Sequence, residues 1–69
     1  MRIDKYIWCV RLVKTRSLAS KLVSDEKIKL NEAFVKSSKT VKAVYIVSMK
    51  EIPIWRTFKI LDIPKSRVG

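Results

Sequence analysis

Histidine is absent from this 69-residue chain, cysteine occurs once, as Cys9, and the single glycine is Gly69. With no histidine and one thiol there is no ligand set for zinc, no Cys-His nucleophile pair, no Ser-His-Asp triad and no internal disulfide. Neither a self-contained enzyme nor a metal or other cofactor is expected. Long apolar runs are missing as well. The longest uncharged run, Ala43 to Met49, falls far short of the roughly 20 apolar residues that a membrane-spanning helix requires. The basic amino terminus also lacks the apolar segment of a signal peptide. The default compartment is the cytoplasm, and a lone free thiol agrees with reducing surroundings.

Acidic residues are scarce: 6 Asp plus Glu stand against 16 Lys plus Arg, a formal net charge of +10. The hydrophobic share of 48% is that of a globular chain, so the charge belongs to a folded, very basic surface and not to a disordered tail. A polyanion is the expected partner. A chain of this length makes one domain with a thin core, because it buries only roughly 60% of the surface its unfolded form exposes.

From Ile3 onward Tyr6, Ile7, Val10 and Val13 share one arc of a helical wheel while Lys5, Trp8 and Leu12 point elsewhere, which predicts a helix over residues 3–12. The interruption Lys14-Thr15-Arg16-Ser17 places Thr15 where its oxygen can cap a second helix through Leu18, Ala19, Leu22 and Val23, ending near Ser24. From Lys27 the pattern becomes alternation. Lys27, Lys29 and Asn31 lie on one side and Ile28 and Leu30 on the other, followed by a turn at Asn31-Glu32 and a short return through Phe34 and Val35. Lys36 to Thr40 reads as a loop. Two more strands are expected at residues 44–49 and 57–63, with Val44, Ile46, Phe58, Ile60 and Ile63 in the core. The stretch from Pro64 to Gly69 reads as a basic extension, since Pro64 cannot continue a central strand, which leaves residues 1–63 as the domain. The expected fold class is α+β, two N-terminal helices packed on a small twisted sheet of about four strands.

Through residue 22 six basic residues, Arg2, Lys5, Arg11, Lys14, Arg16 and Lys21, are offset only by Asp4. Both helices can therefore present cations to one ligand, with Ser17 and Lys21 together on the second, and the turn into that helix adds amides that favour a phosphate oxygen. Lys27, Lys29 and Asn31 extend that surface along the hairpin. Simpler roles stand beside these. Thr15 serves as an N-cap whether or not it touches a phosphate, Cys9 reads as a small packed residue without redox function, and Trp8 and Trp55 read first as core-edge residues.

The segments Arg2-Ile3-Asp4-Lys5-Tyr6-Ile7-Trp8, Arg11, Lys14-Thr15-Arg16-Ser17-Leu18-Ala19 and Ile28-Lys29-Leu30-Asn31 resemble the S4-like RNA-binding domain. More closely, the chain looks like the ribosome-associated heat-shock protein 15 family, a likeness that runs over essentially its whole length. The resemblance implies an S4-like (alpha-L) fold that binds structured ribosomal RNA of the large (50S) subunit, in rescue or recycling of stalled or dissociated subunits carrying peptidyl-tRNA. Arg2, Lys5, Arg11, Lys14, Thr15, Arg16, Ser17 and Lys21 would form the RNA face, flanked by Lys27, Lys29, Asn31, Lys36 and Lys39. None would perform chemistry. The implied partners are large-subunit ribosomal RNA and, beyond it, peptidyl-tRNA, bound by a cytoplasmic monomer that does not associate with membranes.

The chain departs from that family where glycines are usual: Glu26 precedes the first strand, Glu32 follows Asn31, and Val44-Tyr45 replaces a Gly-Asp turn. Either these turns are built differently or the domain carries left-handed residues at about 1 kcal/mol each, and the two glutamates weaken the field at the RNA side. Relatives in the heat-shock family usually continue past Gly69. Two other classes compete: an RNA-targeting domain of a longer RNA-modifying enzyme or synthetase, and a basic membrane-surface binder suggested by Trp8 and the lysine-rich helices.

Overall fold

The computed structural model describes residues 1–51 and 53–65. Two helices, α1 (Ile3–Cys9) and α2 (Arg16–Ser24), precede four strands, β1 (Ile28–Leu30), β2 (Ala33–Phe34), β3 (Ile46–Glu51) and β4 (Ile54–Lys59). The strands form one antiparallel sheet in the order β2-β1-β3-β4. The α+β class is as expected. Of the proposed extension from Pro64, only Pro64 and Lys65 lie within the described residues, and neither is in a strand.

Helix α1 ends at Cys9 and not at Leu12. Its last turn closes as a Schellman motif: the Leu12 amide donates to the Ile7 carbonyl and the Arg11 amide to the Trp8 carbonyl, both at 3.0 Å, with Arg11 at φ 64°. Helix α2 closes the same way through Lys27 onto Leu22 and Glu26 onto Val23, with Glu26 at φ 58°. Thr15 caps α2, its hydroxyl oxygen accepting from the Leu18 amide at 3.1 Å.

One core lies between the helix pair and the inner face of the sheet. Ile3, Ile7, Cys9, Ala19, Ile28, Val47 and Ile60 are fully enclosed, and Tyr6, Val23 and Leu30 join them. Burial pushes the Tyr6 phenol above its ordinary pKa, since the charged form is disfavoured there. On α2 the buried positions are Ala19 and Val23, while Leu18 is exposed. Cys9 is packed at the end of α1.

The hairpin is as expected, with Leu30 opposite Ala33 across a two-residue turn. Strand β3 begins two residues late. Val44, assigned to the core, is 67% exposed at φ 63°, and Ile46 is half-buried, whereas Val47 and Met49 face inward. The unbroken apolar run from Ala43 to Val47 carries no alternation to fix its phase, and a slip of one residue exchanges the faces. Ile60 is buried as expected and Phe58 and Ile63 pack half-buried beside the core. Strand β4 runs earlier than expected, so Trp55 sits within it.

Candidate nucleic-acid interface

The two helices meet at Asp4. Its side chain is only 4% exposed, and Arg2 Nη2 donates to its Oδ2 at 3.1 Å while Arg16 Nη2 lies 3.7 Å from its Oδ1. The Lys5 amide also donates to Oδ1 at 2.7 Å. One enclosed carboxylate thus holds two guanidiniums that are themselves about half exposed, 49% and 45%. Because an Arg fork has five donors, each can keep its pair with Asp4 and still present N–H groups to a phosphate. An acid among cations here sets their position.

The loop at residues 36–40 is fastened to the same corner. Ile3 donates to the Lys39 carbonyl at 2.7 Å, Asp4 to the Ser37 carbonyl at 3.4 Å, and Arg2 bridges to Thr40. Lys36 and Lys39 are thereby carried beside Arg2, both exposed. Arg2, Lys36, Ser37 and Ser38 line an open groove together with Ser24, Glu26 and Phe34. Of the two glutamates at glycine positions, Glu26 is the one that borders this surface.

Lys14, Thr15 and Ser17 flank Arg16 at the start of α2, and Lys21 is exposed one turn beyond Ser17. Lys5 is half-buried on α1, and Arg11 is exposed past its end. The Leu18 amide is taken by Thr15, so that group serves the cap. Trp8 packs half-buried against the core. The remaining residues from the sequence lie apart. Asn31 is built into the fold: its Oδ1 accepts from the Ile46 amide at 2.8 Å and its own amide donates to the Ile46 carbonyl at 2.7 Å. Lys27 sits at the base of β1, and Lys29 turns onto the sheet face away from the helices, over Phe34 and Trp55.

Asp4 was visible in the sequence as an offset to charge and as part of the opening segment that carries the resemblance, and its role as a clamp needed the fold. Among the described residues there is no cluster of His, Cys, Asp and Glu that could hold a metal, and no helix is long and apolar enough to cross a membrane.

Comparison with known proteins agrees with this fold. The S4 domain family matches residues 1–47. A Helicobacter pylori protein named RQC P-site tRNA stabilizing factor is 39% identical over 64 residues, 93% of this chain and 76% of that protein. The heat shock protein 15 homolog of Haemophilus influenzae is 29% identical over all 69 residues, and the chain spans about half its length, 53%. Among solved structures, the trimeric structure of Vibrio cholerae heat shock protein 15 superposes with a TM-score of 0.92 at 33% identity, covering 100% of this chain and 70% of that one.

Proposed function

The chain belongs to the S4-domain family and is homologous to heat-shock protein 15, and from that premise we propose that it binds structured RNA of the large ribosomal subunit, in rescue or recycling of stalled or dissociated subunits that carry peptidyl-tRNA. The observation that carries the reading is the pair Arg2 and Arg16 held on buried Asp4 at the meeting point of the two helices. Positioned guanidiniums recognise phosphates of a folded RNA by shape, where the narrow major groove hides the base edges. The relative named for stabilizing a P-site tRNA supports peptidyl-tRNA as a further contact. Lys5, Arg11, Lys14, Thr15, Ser17 and Lys21 complete the proposed RNA face, with Lys36 and Lys39 at its margins; Lys27, Lys29 and Asn31, expected to flank it, lie apart from it. The protein acts by binding, in the cytoplasm. It acts as a monomer, a state that its native mass in solution tests, since the Vibrio cholerae relative was solved as a trimer.

Titration onto isolated large subunits at several salt concentrations tests the reading. With about six phosphates neutralised, the log-log slope of affinity against salt is roughly −4 to −5. The double variant Arg2→Ala/Arg16→Ala should lower affinity about a hundredfold, two charge-assisted contacts at ~1.4 kcal/mol each. Unchanged affinity in that variant, or salt-insensitive binding, would sink the proposal.

A further inference from the structure

The face of the sheet turned away from the helices carries a second constellation. Lys29 pairs with Phe34 on one side and Ser48 on the other, Ser48 pairs with Thr57, and Lys50 pairs with Trp55, so all of these side chains share one face. Ile28 and Leu30, the neighbours of Lys29 in β1, are buried on the opposite face. The Lys29 ammonium lies 5.2 Å from the Phe34 ring centre and 4.6 Å from that of Trp55, and the two rings stand 6.4 Å apart at 51°. Phe34 is 47% exposed and Trp55 37%. Two aromatic rings are thus held by a cation between them with much of their surface open to solvent.

We propose that this face is a second RNA contact, on which an unpaired base stacks against Trp55 and Phe34 while the surrounding lysines meet its phosphates. Charge decides the occupant. Among the described strand residues on this face the charged groups are Lys29, Lys50 and Lys59, with no carboxylate beside them. Rings on a strand face whose charged groups are all lysines suit a single-stranded polyanion, because every base offers a π-face and every nucleotide a negative charge. A protein partner would have to leave those ammonium groups unpaired or bring its own acids. The inference rests on the RNA-binding reading above but uses other residues, Lys29, Phe34 and Trp55, of which Phe34 also borders the groove lined by Arg2 and Lys36. The protein then grips folded RNA at the helices and a looped-out nucleotide at the sheet.

The test uses the intact chain and two oligonucleotides of equal length and charge, octauridylate and its abasic counterpart, at one fixed salt concentration. Trp8→Phe makes Trp55 the one indole that reports. Octauridylate should quench Trp55 emission and the abasic strand should not, and octauridylate should bind about tenfold more tightly, since one stacked base is worth roughly 1–3 kcal/mol. Phe34→Ala and Trp55→Ala should each bring the two affinities towards equality, whereas Arg2→Ala/Arg16→Ala should leave their ratio unchanged while reducing binding to large subunits. Equal affinity for both strands in the parent chain would overturn the proposal whatever the variants do. So would a change in Trp55 emission with protein concentration alone, which would assign the face to contact between copies of this chain.

Discussion

Asp4 makes a sharper test of how this surface works than any of the cations around it. Replacing it with Asn adds one positive charge to a chain already at +10. If affinity followed net charge, Asp4→Asn would bind RNA more tightly. The geometry says the opposite, because the neutral amide keeps one acceptor oxygen for a single arginine and turns its N–H groups towards the other guanidinium, which loses its anchor. Asp4→Asn should therefore weaken binding about tenfold at constant salt, ~1.4 kcal/mol, and cost about 1–3 kcal/mol of stability through the lost buried acceptor. Affinity by titration and stability by urea melts check both. Tighter binding would show that the arginines act as diffuse charge and not as positioned groups.

The turns between elements show what the sequence could and could not tell. Helices, hairpin and α+β class were readable because Ile3, Tyr6 and Ile7 recur at helical spacing and Ile28 and Leu30 alternate with lysines, although the same spacing carried the first helix past its end at Cys9. The basic face was readable too, from the cations crowded into the first 22 residues. The Phe34–Lys29–Trp55 cluster was not, since it is assembled across three strands by register. Nor was the fate of the missing glycines, which depends on whether the chain rebuilds a turn or tolerates a left-handed residue. It tolerates them: Glu26, Glu32 and Val44 stand at φ 58°, 67° and 63°. Asn31 and Glu32, both left-handed, make the two-residue turn for which Asn-Gly is the favoured pair. Val44 is the most costly of the three, because its branched β-carbon crowds the backbone at positive φ. It follows Ala43 in a turn closed by the Tyr45 amide on the Lys42 carbonyl at 3.3 Å, at the position where a type II turn takes glycine. Exposed at 67%, it buries little in return. Val44→Gly relieves about 1–2 kcal/mol of strain against about 0.5–1 kcal/mol of added chain entropy, so it should stabilise the protein by ~0.5–1 kcal/mol. A lower urea midpoint for Val44→Gly at unchanged slope would contradict this account.

The charge of the entire chain sets two opposite responses to salt. Sixteen basic residues share extents of 31 × 24 × 20 Å, and below 0.1 M salt, where the Debye length exceeds about 10 Å, the free protein repels itself. Asp4 and Glu51 hold Arg2, Arg16 and Arg56, but most of the 16 basic residues outnumber any acid that could meet them. Screening therefore removes more repulsion than attraction. Between 0.05 and 0.5 M sodium chloride the melting temperature of the free protein should rise by several degrees, since ~1 kcal/mol corresponds to about 4–8 °C in a domain of this size. Over the same range affinity for large-subunit RNA should fall along the steep slope given above. Chloride is the salt to use, because sulfate would also strengthen apolar burial and blur the result. Adding RNA at low salt should restore the lost stability by mass action, as a ligand that neutralises the cations only in the folded state. A melting temperature that falls with sodium chloride would mean that ion pairs dominate the surface, and the view of a cation field left open for RNA would have to be abandoned.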